Sequence, residues 1–353
     1  MNLCSPLNLR TAASLAIATV VALGLCKPVL SQAGETGYHI IDKQHLEGDV
    51  KWDYLIVDAQ YRHLFITHGD RVDVFDVDKK RIVGEIRNTH GVHGVALAAE
   101  LDRGFTSNGK DNSVTIFELS TLKVIGNTNT EKKPDGIVYD SASKRVFAAN
   151  GESGSLTPVD AVAGKSLTSI PLGGKPEFVA VDGKGRLFVN LEDKNELVVV
   201  DTQRLAITHR YDLSASCDEP AGLSIDPVTQ RLFVGCHNQK MAIVEADTGK
   251  ILDTPQIGRG SDATAYDAAA KLAFSSNGDG TLNIISALDA THYQLKQTVN
   301  SMQGARTLAI DPISHKVYLV TAETESVEAV TQQKAIPRAR FKTDTFTLIT
   351  VSP

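Results

Sequence analysis

Seven times between Trp52 and Val351 the chain repeats one alternation of apolar and polar positions. Each unit opens on an entry residue, usually polar, runs into a short apolar strand, turns, usually at an acid, and returns in a second apolar strand before a further hairpin. The first strands read WDYLIVDA, HGVALAAE, DGIVYDSA, EFVAVDGK, AGLSIDPV, DATAYDAA and RTLAIDPI. The second strands read HLFITHG, RGFTSNG, RVFAANG, RLFVNLE, RLFVGCH, LAFSSNG and KVYLVTA. Branched and aromatic residues at period two predict strands, and no segment carries a helical period. Aligned on the first strand, Asp53, His93, Asp135, Glu177, Ala221, Asp262 and Arg306 are equivalent, at intervals of 40 to 44 residues. Four strands at that period predict propeller blades, because one unit cannot bury both faces and must stack on neighbours in a ring.

The seventh unit is irregular. After its second strand an insertion runs from Glu323 to Asp344, and TFTLITV then supplies only a third strand. The segment YHIIDKQHL, Tyr38 to Leu46, precedes the first blade and can provide the fourth. The expected fold is therefore an all-β, seven-bladed β-propeller with four-stranded blades, closed by an N-terminal strand in the last blade so that no sheet edge stays open.

Residues 1–33 are different material. Arg10 precedes an uncharged stretch from Thr11 to Cys26, and Ser31-Gln32-Ala33 offers small residues before a cut. This predicts a secretory signal peptide, with residues 34–353 as the propeller domain and a periplasmic or secreted location. A retained N-terminal anchor is one alternative. Lipidation at Cys26 is another, against which stands the bulky Leu25 before it. Export also gives the cysteines a meaning: loss of Cys4 and Cys26 leaves Cys217, in the loop entering blade 5, and Cys236, at the end of its second strand, both on the same face of the ring, and predicts a disulfide. A metal pair with His237 is the competing reading.

The whole chain has 36 basic and 42 acidic residues. Removing residues 1–33 takes Arg10 and Lys27 and no acid, leaving 34 against 42 and a net charge of −8. That balance disfavours a general nucleic-acid surface, which needs clustered cations. No transmembrane helix is expected in the mature form, and the propeller is expected to be a monomer.

In a propeller the inner strands line a central channel, and the loops entering them share one face with the ends of the second strands. Asp53, His93, Asp135, Glu177, Asp262 and Arg306 are thus expected to ring the channel mouth as a ligand site. A second ring is expected from the second-strand ends, His68, Asn108, Asn150, Asn190, Cys236 and Asn277. For both rings a scaffold role is the alternative, since Asn-Gly suits tight turns and entry side chains can cap loop backbone. His68, His90 and His93 form a further candidate set, with Asp135 or Glu177 across the channel, for a divalent transition metal such as zinc, copper or iron. Ordinary loop histidines are the plain alternative.

The Asp-Pro turns at Asp226-Pro227 and Asp311-Pro312, the RLFV-type second strand and the turn Asp247 to Lys250 resemble the YVTN family of bacterial β-propeller repeats. WDYLIVD, GVHGVAL, SNGKDNSVTIF, GGKPEFVAVDGKGRLFVNLEDKNE and SNGDGTL resemble, more closely, the YncE-like exported proteins. The resemblance implies a periplasmic seven-bladed propeller and supplies no general reaction. Enzyme readings each lack a part: there is no CxxCH, no GxSxG, and Trp52 is the single tryptophan. The expected function is a noncatalytic scaffold binding an unknown small molecule or protein at the mouth. The alternative is a lactonase-like hydrolase or metal-binding enzyme using the same acids, His and Arg.

Overall fold

The computed structural model describes residues 37–48, 51–327 and 339–353. The expected signal peptide and Cys26 lie outside the described residues. Seven antiparallel four-stranded sheets account for nearly all the regular structure, and blade 3 adds a short fifth strand because its outer strand is split in two. Blade 1 is typical, with strands Leu55–Asp58, His63–His68, Arg71–Asp76 and Arg81–Arg87 running from the centre outwards. Each inner strand packs beside those of the two neighbouring blades, and that of blade 7 packs beside that of blade 1, which makes the sheets a closed ring. The only helical turns among the described residues are two three-residue 3-10 segments, Ala99–Leu101 and Glu192–Lys194. No helix among them is long and apolar enough to cross a membrane.

The repeat writes the hairpins directly. An Asp ends the inner strand in six blades, and its carboxylate accepts backbone N–H groups of the turn, as when Asp267 Oδ1 takes those of Ala269 and Ala270, both at 3.0 Å. Just before the second strand the chain then enters the left-handed region, with φ of 54° to 60° at Arg62, Lys144, Gln230, Lys271 and His315, and Asp102 does so at 53° in blade 2, whose turn has no such Asp. Those hydrogen bonds help hold a conformation that a side chain otherwise disfavours. The second strand carries one aromatic per blade at the same register: Phe65, Phe105, Phe147, Phe188, Phe233, Phe274 and Tyr318, all buried. They fill the layers between blades, at about 1.5–3 kcal/mol for each fully buried side chain.

Blade 7 closes as expected. Its strands Leu308–Ile310, Val317–Thr321 and Thr347–Ser352 are completed by His39–His45, with Ile40 opposite Val351 and Gln44 opposite Leu348. Part of the insertion forms its own hairpin, Thr324–Val327 with Ala339–Phe341. Phe341 meets Trp52 edge-on at 4.8 Å, which ties that hairpin to the entry of blade 1. Cys217 and Cys236 are joined in a buried disulfide with Cα atoms 5.2 Å apart.

Candidate functional site

The entry residues are aimed by backbone irregularity. In blades 2 to 6 the pairing of the inner strand with the second strand slips at its start: between Val92 and Gly94, Pro134 and Ile137, Pro176 and Val179, Pro220 and Leu223, and Ser261 and Ala263. His93, Asp135, Glu177, Ala221 and Asp262 lie inside these slips. A bulge breaks the alternation of faces and re-aims the side chain it carries. Hydroxyls and an amide of the second strands hold the next blade's displaced backbone. Ser107 Oγ donates to Asp135 O at 2.5 Å, Ser276 Oγ to Arg306 O at 2.5 Å, and Asn190 Nδ2 to Ala221 O at 2.9 Å.

Around the mouth, His93 Nδ1 stands 2.6 Å from Asp53 Oδ2 and 3.6 Å from Asp135 Oδ1. Arg306 Nε reaches Asp262 Oδ2 at 2.9 Å, with its side chain 52% exposed. Lys175 Nζ lies 3.3 Å from Glu177 Oε2 and pairs closely with Glu192. Beneath them Tyr54 of blade 1 meets Phe178 of blade 4 edge-on, with ring centroids 4.9 Å apart. Those blades face each other across the ring, so the two aromatics span the channel below the acids.

Burial sets the electrostatics. It pushes the Asp135 carboxyl up to about 7, against the pull of His93. It pushes Glu177 up to about 8, with Asp135 and Asp262 adding to the shift. Asp262 is also raised by burial, although Arg306 opposes it. Burial alone would lower the His93 imidazole, but the Asp53 hydrogen bond and the charges of Asp135 and Asp53 carry it to about 9. The Tyr54 hydroxyl is held well above its ordinary range by burial and then by Glu177, Asp262, Asp135 and Asp53. One phenol thus feels the charges of four carboxylates. Asp135 Oδ1 is sealed from solvent with no hydrogen-bond partner.

The second expected ring has a different setting. Asn108, Asn150, Asn190 and Asn277 are fully buried. Asn108 Nδ2 donates to Ser113 Oγ and Thr115 Oγ1, Asn150 Nδ2 to Ser155 Oγ and Thr157 Oγ1, and Asn277 Nδ2 to Thr281 Oγ1 and Asn283 Oδ1. These amides tie strands within a blade, and Cys236 is consumed by the disulfide. The three histidines do not converge. His68 is buried against Asp73 at 2.5 Å, and His90 is exposed against Asp111 at 2.9 Å. Each takes the nearest carboxylate of its own blade, and only His93 reaches the channel. His68 and His90 instead line a polar cavity of about 340 Å³ outside the mouth, with Asp70, Arg71 and Arg87.

Among the described residues, two clusters gather three metal-ligating side chains with their donor atoms within 4.8 Å: Asp53, His93 and Asp135, and Glu192, Glu219 and His237. Sequence reasoning missed Tyr54, Phe178, Lys175 and the second cluster. A usable signal was the motif Lys-Pro-acid at Lys133-Pro134-Asp135 and Lys175-Pro176-Glu177, which puts a cation beside each of these entry acids.

No family model matches the chain, and no curated protein matches it. Solved structures do. A structure titled Kuenenia stuttgartiensis hydrazine synthase is similar at 13% identity and TM-score 0.67, over 85% of this chain and 98% of that one. A structure of U3-55K is similar at 10% identity and TM-score 0.74, over 90% and 100%. A chain of a mitotic checkpoint complex is similar at 12% identity and TM-score 0.73, over 96% and 99%. At such identities the likeness establishes the seven-bladed propeller fold and carries no function.

Proposed function

We propose that this chain is an exported, YncE-like propeller that binds a small polar ligand at the channel mouth without transforming it. The observation that carries the reading is the surplus of buried acid there. The charges of Asp53, Asp135, Glu177 and Asp262 all act on Tyr54, while His93, Arg306 and, beside Glu177, Lys175 stand against them. Carboxyls raised by burial and mutual repulsion are costly to the fold and cluster at functional sites. The ligand this suits carries hydrogen-bond donors on one edge, for the acids, and a carboxylate or carbonyl on the other, for the Arg306 fork. Export is supported by the residues 1–33 pattern together with the Cys217–Cys236 bond, since disulfides persist in oxidising compartments. N-terminal sequencing of the protein from its native compartment, expected to begin at Gly34, tests it.

The binding test starts from a thermal-shift screen of amino acids, sugars acids and polyamines, followed by calorimetry on the hits. Arg306→Ala should weaken binding by about 2–3 kcal/mol, with the circular dichroism spectrum unchanged. Wild-type affinity in Arg306→Ala combined with Asp135→Ala would put the site elsewhere. A second reading, a hydrolase at the same mouth, draws on the His93–Asp53 pair, in which a carboxylate 2.6 Å away orients an imidazole. Turnover of lactone or ester substrates that disappears in His93→Ala would replace the binding reading with that one.

A further inference from the structure

We propose that Asp53, His93 and Asp135 form a binding site for one divalent first-row transition ion, with Zn²⁺ the tightest of Zn²⁺, Mn²⁺ and Ca²⁺. The inference deepens the reading of the mouth as a binding site and rests on it. Three donor atoms from three consecutive blades converge: Asp53 Oδ2, His93 Nδ1 and Asp135 Oδ1. Ligands about 2.0–2.2 Å from one ion stand about 2.8–3.6 Å apart at octahedral to tetrahedral angles. Of the two edges at His93, 3.6 Å lies at the top of that range and 2.6 Å just below it. An ion therefore fits between Asp53 Oδ2, His93 Nδ1 and Asp135 Oδ1 with shifts of a few tenths of an ångström.

Two further observations point the same way. Asp135 Oδ1 faces His93 from a buried position and has no hydrogen-bond partner. The backbone behind every ligand is clamped, as a metal site requires of its supporting shell. Thr307 Oγ1 donates to Asp53 O at 2.7 Å, Ser107 Oγ accepts from Gly94 N at 3.0 Å, and the same hydroxyl donates to Asp135 O. Gly109 leaves the far side of the imidazole free, since a Cβ there would stand 2.7 Å from His93 Nε2.

Two neighbouring cations are already placed elsewhere, and Lys133 reaches Asp135 and His93 only through its charge. Arg306 pairs with Asp262, and the second cluster holds the Lys175 ammonium on Glu192. Two carboxylates neutralise a divalent charge, and one imidazole with two oxygens is a borderline donor set suited to zinc more than to calcium, which takes six to eight oxygens. Three protein ligands leave a further position for water or a ligand atom at the mouth.

The test is equilibrium dialysis of the EDTA-stripped, disulfide-intact protein against Zn²⁺, Mn²⁺ or Ca²⁺, with bound metal read by elemental analysis. One Zn²⁺ per chain is expected, with Mn²⁺ weaker and Ca²⁺ absent. Asp135→Asn and His93→Ala should each weaken Zn²⁺ at least a hundredfold, Gly109→Ala about tenfold, and His237→Ala not at all. Circular dichroism and thermal melts identify any variant that fails to fold, and Asp135→Asn keeps the side-chain shape. Zn²⁺ retained in both ligand variants, or lost in His237→Ala, overturns the site. No Zn²⁺ uptake overturns it too, while a small ligand that still depends on Arg306 would leave the binding mouth standing.

Discussion

Each inner strand has two ends five residues apart, and they treat the same kind of side chain in opposite ways. At the entry stand Asp53, Asp135, Glu177 and Asp262; at the exit stand Asp58, Asp140, Asp182 and Asp267, joined by Asp226 and Asp311. Exit carboxylates are buried yet supplied with donors. Asp58 Oδ1 accepts Gln60 N at 2.8 Å, Asp182 Oδ1 accepts Lys184 N at 2.7 Å, and Asp140 Oδ2 accepts Ser143 N at 3.0 Å. Asp58 and Asp140 each leave one oxygen unpaired, but the other is bonded to the turn. At Asp226 and Asp311 burial alone would raise the carboxyl, and hydrogen bonds from turn and neighbour bring it below the ordinary range. At the entry, burial wins, and Asp135, Glu177 and Asp262 are raised. Burial is common to both ends, so the supply of donors decides the sign. The exit acids belong to the scaffold, and the entry acids are surplus to it.

The strongest attempt to break that division removes one acid from each end. Asp311 takes Arg62 in two bonds of 2.8 and 2.7 Å and also accepts Ile313 N and Ser314 Oγ, linking blade 7 to blade 1. Asp311→Ala should cost about 3–5 kcal/mol in denaturant unfolding, because it removes two charge-assisted bonds across the blades and leaves the Ile313 N–H without its acceptor, while Arg62 keeps Asp78. Asp135→Asn should be neutral or stabilising without metal, since it removes a charge the fold does not satisfy. Equal losses at both ends would end the comparison. Next in size is the mouth-side staple in blade 5: replacing Cys217 and Cys236 by Ser should lower stability by about 3 kcal/mol on the loop-entropy model. Peptide mapping without reduction should recover the two cysteines as one linked species, and free thiols in the exported protein would contradict it.

Much of this was legible in the sequence, for physical reasons. The ring followed from the 40- to 44-residue spacing and the seven equivalent second strands, and closure by Tyr38 to Leu46 followed from a seventh blade short of one strand. The entry acids were legible because the repeat aligns them. The bulges were not: a one-residue slip leaves no mark in the apolar pattern, yet it brings His93 to Asp53 and Asp135. Nor was the fate of His68 and His90, because each follows a local acid, Asp73 or Asp111, and spacing within a loop does not say which partner wins. The Asn residues at second-strand ends looked polar and hence exposed. Asn108 and Asn150 are buried because Ser and Thr on the next strand satisfy them, Asn277 because Thr281 and Asn283 do, and Asn190 because the Ala221 and Gly222 carbonyls of the next blade do.

The smallest effect sharpens the comparison by its sign. Glu177, pushed up to about 8 from an ordinary 4.5, binds a proton more tightly in the folded than in the unfolded chain. Its contribution to stability is therefore full below about pH 4.5 and is lost as pH rises through about 8. Asp311 has the opposite sign: its folded value is depressed, so its contribution is present above about pH 4 and is lost as pH falls through the folded value. Glu177→Gln removes the first slope while Lys175 keeps Glu192 as its partner. In urea melts from pH 5 to 9, wild type should lose stability relative to this variant, by on the order of 1–2 kcal/mol at the alkaline end. Parallel profiles would mean that Glu177 is ionised and satisfied at neutral pH, and the entry ring would then differ from the exit only in position.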